Sequence, residues 1–158
     1  SVGSVNFSPD DTLILSTSLK TLKLWNAASG KEVWTWNVGL QILKDAHFSP
    51  DGKQIIAACY SEIKRWDVAS GTELKPIKDG DLSGISAIAI SADGTRIAAD
   101  SRHATIKLFD TETGEVVNTL RGHVKQVRSL SFSPDGKRIV SISGGGPKSS
   151  DHTVKLWD

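Results

Sequence analysis

Hydrophobic and polar positions alternate only over short stretches of this chain, and no stretch has the 3.6-residue period of a helix. Largely apolar runs of five or six residues occur, for example, at 54–58, 105–109 and 115–120. Gly, Pro, Asp and Ser flank these runs, as they flank β-strands in general. The pattern predicts an all-β protein built from many short strands.

A four-residue turn motif recurs at an almost constant interval. Its copies are Ser8–Asp11, Ser49–Gly52, Ser91–Gly94 and Ser133–Gly136, with serines 41, 42 and 42 residues apart. The full form is Ser-Pro-Asp-Gly, in which Pro presets φ, Asp bonds nearby amides and Gly accepts a left-handed backbone. We therefore expect a hairpin turn in each copy. Asp11 and Ala92 replace one turn residue each, so we expect the first and third turns to be looser.

A second landmark, an aromatic residue followed by Asn or Asp, comes after each turn. The aromatic residues are Trp25, Trp66, Phe109 and Trp157, spaced 41, 43 and 48 residues apart. Each period has room for four short antiparallel strands, here named a, b, c and d from the inside outward. In the second period, a ends at Phe48, b covers about 53–59, c covers 63–67 and d covers 73–77. Such a repeat predicts β-propeller blades.

These repeats resemble the WD-repeat (Trp-Asp repeat) β-propeller family over essentially the whole chain. The fourth copy is the best match, with Gly122-His123, Ser-Pro-Asp-Gly, Asp151 and Trp157-Asp158. The resemblance implies four consecutive four-stranded blades, at about 1–37, 38–79, 80–120 and 121–158, the last lacking its outer strand d. Because the chain also contains no methionine, we expect part of a larger propeller, or a ring completed by another chain.

The resemblance also implies a hydrogen-bonded network inside the fourth blade. Its members would be His123, Ser141, Asp151 and Trp157. The third copy has Asp81, Ala99, His103 and Phe109 at these positions, and the first two copies lack an aligned Asp. We therefore expect the first three blades to depend on apolar packing instead. Trp34 and Trp36 share one face of the first strand d; we expect them to pack against the next blade, with partner anchoring as the alternative.

Catalysis and metal binding find little support in the sequence. Ser141, His123 and Asp151 are the residue types of a hydrolase triad, but a nucleophile must be exposed, and the resemblance places these side chains between strands. The single cysteine, Cys59, cannot form an internal disulfide or a cysteine-based zinc site. We predict no catalytic residue, no metal site, no cofactor and no membrane-spanning segment.

The family resemblance places partner contacts on the top face, where strands a begin and b–c turns lie. The residues assigned to it are Lys44, Ser86, Arg102, Gln126, Arg128 and Ser150, with Gly3, Ser18, Ile42, Cys59 and Gly84 at neighbouring positions. Lys44, Arg102 and Arg128 would make this face cationic, which favours an acidic protein or peptide. Residues 121–148 contain six basic residues and one acid; nucleic acid is the less favoured partner, since no exposed aromatics alternate with these charges.

The sequence thus predicts a non-catalytic scaffold for protein–protein interaction. The alternative is a sensor or regulatory arm of a larger bacterial-type effector or signalling enzyme whose catalytic domain lies outside these residues. One free thiol favours the cytoplasm.

Overall fold

The computed structural model of the 158-residue chain describes residues 2–39, 42–144 and 153–158. Three sheets have four strands and the fourth has three, each with neighbours antiparallel and in chain order. The strands are β1 (Val2–Phe7), β2 (Leu13–Ser18), β3 (Thr21–Asn26), β4 (Glu32–Asn37), β5 (Leu43–Phe48), β6 (Gln54–Cys59), β7 (Glu62–Asp67), β8 (Glu73–Ile77), β9 (Ile88–Ile90), β10 (Arg96–Ser101), β11 (Thr105–Asp110), β12 (Val116–Leu120), β13 (Val127–Phe132), β14 (Ile139–Ser143) and β15 (Thr153–Trp157).

The all-β architecture of consecutive propeller blades is therefore confirmed. In the second sheet, β5 ends at the predicted residue, β8 has the predicted bounds, and β6 and β7 differ from prediction by one residue each. The described strands of the first and last sheets do not pair with each other, so the four sheets form an open arc. In the described part of the chain, no helix is long and apolar enough to cross a membrane.

Side chains from adjacent sheets form three apolar layers, one at each junction. Leu15 and Leu24 of the first sheet meet Ile55 and Trp66 of the second. The second junction joins Ile56 and Ile63 to Ile97 and Phe109. The third joins Ala98 and Ile106 to Val127 and Ile139. Each inner sheet therefore contributes to two layers, and each end sheet contributes to one.

The a–b turns are closed by the same hydrogen bonds in all four copies. The hydroxyls of Ser8, Ser49 and Ser91 each donate to the Asp two residues later at 2.6 Å, and Ser133 donates to Asp135. The expectation of looser first and third turns is wrong. Asp11 N–H bonds the Ser8 carbonyl at 3.0 Å, close to the 2.8 Å of Gly52, because Asp11 adopts the left-handed backbone (φ 60°) usually left to glycine.

Tryptophans connect the first sheet to the second. The Trp34 indole N–H donates to the Val68 carbonyl at 3.2 Å, and that of Trp36 donates to the Gly71 carbonyl at 2.8 Å. The Trp36 ring also lies 5.9 Å, centroid to centroid, from the ring of buried Trp66. The prediction that Trp34 and Trp36 pack against the next blade is confirmed.

Gly71 is the described glycine with the least room for a side chain. Its φ is +70°, and a Cβ there would lie 2.7 Å from the Trp34 ring. Gly30 occupies the same turn position in the first sheet with φ +66°, but nothing lies within 4 Å of a Cβ added to it. Gly30 therefore provides a control that carries the backbone strain without the clash.

We expect Gly71→Ala to lower the free energy of unfolding more than Gly30→Ala does. The control should lose about 1 kcal/mol from left-handed strain, and Gly71→Ala roughly 1–3 kcal/mol more from overpacking against Trp34. Urea denaturation followed by tryptophan fluorescence measures both. Equal losses in the two variants would show that the close approach of Gly71 to Trp34 is not a constraint.

The turn carboxylates should make stability fall in acid. The Ser91 hydroxyl, followed by the Thr95 N–H, lowers the pKa of Asp93 to about 2, and Ser hydroxyls likewise lower the pKa values of Asp10, Asp51 and Asp135. A carboxyl whose folded pKa is depressed stabilises the fold above its unfolded pKa, here near 3.8. That contribution is lost as pH falls towards about 2.

We therefore expect the melting temperature to drop between pH 5 and pH 2, and Asp93→Asn to show a shallower drop than the unmodified protein. Thermal melts at matched ionic strength measure this. Parallel pH curves for the two proteins would remove Asp93 from the acid-sensitive groups.

Candidate functional site

The interior of the fourth sheet contains a hydrogen-bonded polar cluster. His123 precedes β13, and its Nε2 lies 2.7 Å from Ser141 Oγ, while its Nδ1 lies 3.1 Å from Thr153 Oγ1. The Trp157 indole N–H donates to the same Ser141 Oγ at 2.8 Å. His123 and Ser141 are both buried. Asp151, the remaining member expected from the sequence, lies outside the described residues.

This geometry determines what Ser141 can do chemically. Its hydroxyl has a solvent exposure of 0%, and it already contacts both His123 Nε2 and the Trp157 N–H. A nucleophilic serine needs an approach path for its substrate. The cluster therefore acts as an internal brace, because its hydrogen bonds connect β14, β15 and the segment before β13.

The first and third sheets have polar contacts of their own. The Trp25 indole N–H donates to Ser16 Oγ at 2.8 Å, as Trp157 does to Ser141. In the third sheet, Lys107 Nζ lies 2.6 Å from Asp79 and 2.9 Å from Asp81. The first sheet therefore repeats one bond of the fourth-sheet cluster, and the third sheet has a different polar contact, in addition to the apolar layers at the junctions.

Two details of that third-sheet cluster differ from the sequence interpretation. His103 is exposed and adopts a left-handed backbone with φ 61°, so it takes no part in an internal network resembling that of His123. Burial opposes the charge of Lys107, but its hydrogen bonds to Asp79 and Asp81 raise its pKa. The sequence interpretation missed Lys107 because lysine was not among the residue types expected there.

A pair of hydroxyls also closes three of the b–c hairpins. Ser18 meets Thr21 at 2.7 Å, Ser101 meets Thr105 at 2.6 Å, and Ser143 meets Thr153 at 2.8 Å. The second sheet has Cys59 opposite Glu62 at this register. Comparing the first residues of the four strands c in register would have revealed the pattern.

The starts of strands a carry a repeated irregularity. The register of β1, β5 and β13 shifts around Gly3, Lys44 and Arg128, each of which has no paired residue on strand b. Such a β-bulge redirects one side chain away from the ladder. Lys44 and Arg128 are exposed at these bulges.

Ser86 occupies the corresponding position of the third sheet, but its hydroxyl is used internally. It donates to Asp100 Oδ2 at 2.9 Å and lies 3.1 Å from the Val127 carbonyl. The other oxygen of Asp100 accepts the N–H groups of Ser86 and Ala87. Burial raises the pKa of Asp100, and these hydrogen bonds oppose the increase. Asp100 was not anticipated from the sequence.

Arg102 and Gln126 line one cleft on the top face, together with His103 and Lys125. Gln126 Nε2 donates to the Gly84 carbonyl at 3.1 Å, which links the third and fourth sheets. The structure does not bring Lys44, Ser86 or Arg128 into this cleft. Ser150 lies outside the described residues.

Cys59 is not a surface residue, contrary to its expected place among the neighbouring contact positions. Its exposure is 0% and it packs in the first junction. Burial raises the pKa of its thiol to about 11. Within residues 2–39, 42–144 and 153–158, no group of three or more His, Cys, Asp or Glu side chains could bind a metal ion.

The fold and these repeated contacts define a β-propeller repeat protein, and comparison identifies its family. The family model described as "WD domain, G-beta repeat" matches residues 1–26, 74–110 and 114–158. The chain belongs to this WD40 family.

Individual relatives match about half of the chain. An uncharacterized WD repeat-containing protein of Synechocystis sp. is 40% identical over 79 residues, covering 49% of this chain and 20% of the relative. Nuclear distribution protein nudF 2 of Aspergillus clavatus is 43% identical over 75 residues, covering 47% and 17%. Nuclear distribution protein PAC1-2 of Uncinocarpus reesii is 39% identical over 77 residues, covering 49% and 15%. The matched stretch is thus a fifth or less of each relative.

We expect Ser141→Ala to destabilise the protein more than Ser16→Ala. Removing the fully buried Ser141 hydroxyl takes one hydrogen-bond partner from His123 Nε2 and one from the Trp157 indole, at a cost of about 1–3 kcal/mol. The Ser16 hydroxyl is itself half-buried and bonds the indole of Trp25, so its loss should cost about 1 kcal/mol or less. Chemical denaturation measures the two losses, and a smaller loss for Ser141→Ala would contradict the bracing role.

Proposed function

We propose that this chain is a non-catalytic scaffold for protein–protein interaction, and that its top face presents the contact side chains. The observation that carries the proposal is the placement of exposed Lys44 and Arg128 on bulges at the starts of strands a. Membership of the WD40 family supports a scaffold role. A bulge on a paired strand holds a side chain outward at little entropic cost, which suits a preformed binding surface.

The charge of this face supports an acidic peptide or protein surface as the partner. Arg102 and Lys125 line the top-face cleft, and no carboxylate is among the described residues that line it. The backbone of Asp81 lies next to Arg102, but its carboxylate forms an ion pair with Lys107. We propose direct contacts from Lys44, Arg102, Gln126 and Arg128. Ser86 would act through the backbone it supports, and Ser150 remains a proposed contact on sequence grounds. A nucleic-acid partner is not proposed.

Further β-structure is proposed to cover the two ends of the arc. Val5 and Phe7 of β1 are 58% and 60% exposed, and Val154 and Leu156 of β15 are 68% and 61% exposed. The corresponding faces of the inner sheets are buried in junction layers. Additional blades of a longer protein, or another chain, would cover these surfaces.

A second proposed role is that of a sensor or regulatory arm within a larger signalling protein. The observation that favours it is the length of the relatives, of which the matched stretch covers 15–20%. In either role we propose a cytoplasmic location, in which the single thiol of Cys59 stays reduced. An enzymatic motif in adjoining sequence would favour the second role.

The contact surface is tested by reversing two of its charges. We expect Arg102→Glu combined with Arg128→Glu to weaken binding of a fluorescein-labelled oligoglutamate peptide at least about tenfold, since like charges then face each other. Fluorescence anisotropy measures the affinity, and pull-down from a lysate tests whether the principal partner is lost as well.

The matched control is Lys53→Glu combined with Lys137→Glu, which makes the same change in net charge. Both lysines are exposed on a–b turns, at the opposite ends of the strands from the b–c turns. Equal weakening by the two double variants would show that net charge, and not the top face, determines binding.

A further inference from the structure

Arg65 stands where the other three strands c carry leucine. In-register comparison of β3, β7, β11 and β15 aligns Arg65 with Leu24, Leu108 and Leu156. Leu24 is fully buried, and Arg65 is only 7% exposed. The chain therefore places a guanidinium at a position that is otherwise apolar, in the junction between the second and third sheets.

Backbone carbonyls accept hydrogen bonds from only some of the N–H groups of this guanidinium. Its Nε and Nη2 donate to the Lys75 carbonyl at 3.3 and 2.9 Å, and its Nη1 donates to the Thr111 carbonyl. Arginine has five N–H groups, so three are used and two remain, one each on Nη1 and Nη2. In the described part of the chain, no carboxylate lies within 4.0 Å of Arg65.

The part of the surface beside Arg65 is basic. Arg65 lines a cleft together with Lys75, Lys78, Thr113 and Gly114, and no acidic residue is among its described lining residues. Lys78 Nζ forms an ion pair with a carboxylate oxygen of Glu62 at 3.1 Å. Among the described residues, no acid forms an ion pair with Lys75. A buried charge without a counter-ion costs free energy, which an entering anion would recover.

Arg65 also lines an adjoining groove that contains carboxylates, but most of these are bonded elsewhere. Asp110 lies 2.7 Å from Arg96, and Asp93 accepts from Ser91 at 2.6 Å. Glu112 also lines that groove and is exposed to solvent. The basic cleft is therefore the side on which an anion can approach Arg65.

We propose that this cleft binds an oxyanion, a single carboxylate or phosphate group, through the two remaining N–H groups of Arg65 with Lys75 beside it. Guanidinium groups bind such anions through two neighbouring nitrogens in fork geometry. The cleft lies between strand d of the second sheet and the c–d turn of the third. It is separate from the top-face contacts, so the proposal does not depend on them.

The test is a phosphate titration of the protein followed by heteronuclear NMR at constant ionic strength, with chloride as the reference anion. We expect saturable shifts of the Arg65 Nε–H signal and of the Thr113 and Gly114 amides. A second arm uses a short phosphoserine peptide, and tighter binding than phosphate would identify a peptide side chain as the source of the anion. Absence of saturable shifts in both arms would overturn the proposal.

Arg65→Leu introduces the residue of the other three strands and should retain the fold. We expect it to weaken phosphate binding at least about tenfold, as expected for loss of a charge-assisted pair. Arg65→Lys keeps the charge without the fork and should weaken binding less, which also covers the case in which Arg65→Leu does not fold. Lys20→Ala, at an exposed b–c turn, is the control. Unchanged Thr113 and Gly114 shifts in a folded Arg65 variant, or equal weakening in the control, would contradict the site.

Discussion

Every sheet in this protein has two faces, and an apolar face must be covered by another sheet. This requirement explains the different sequences of inner and end strands. In β6, Ile55 and Ala57 face the first sheet while Ile56 and Ala58 face the third, so the strand is apolar throughout. In β14, buried Ile139 alternates with exposed Val140. The blades are therefore not independent units, because each supplies half of the core of its neighbours.

Hydrogen bonds from a side chain of one sheet to the c–d turn of the adjacent sheet fix how those faces meet. At the first junction, the Trp34 indole donates to the carbonyl of Val68, directly after strand c. At the second junction, Arg65 donates to the carbonyl of Thr111, which occupies the same position one blade later. An indole and a guanidinium thus perform one task at two junctions. Apolar packing supplies most of the stabilisation, and these directional bonds set the register between blades.

Most of the fold was predictable because its determinants are local and repeat. The turn motif and the aromatic landmark fix the hairpins, and the predicted bounds of β8 match the structure. Asp11 shows where local rules fail, because a tight network of hydrogen bonds forces a non-glycine residue into a left-handed backbone. The partners of Lys107 and Asp100 could not be predicted, because both contacts depend on side chains meeting across a bulge or a loop. The roles of Arg102 and Gln126 depend likewise on a cleft between sheets.

The hydroxyl pair that closes the b–c hairpins has the same geometry in hairpins of different length. Two residues lie between Ser18 and Thr21, three between Ser101 and Thr105, and nine between Ser143 and Thr153. The hydroxyls meet at 2.6–2.8 Å in all three hairpins. The number of residues inserted between the two hydroxyls therefore does not change how closely they approach each other at the ends of the strands. For protein engineering, these hairpins are natural insertion points, at which a foreign binding loop can be grafted between a serine and a threonine that already hold its two ends together.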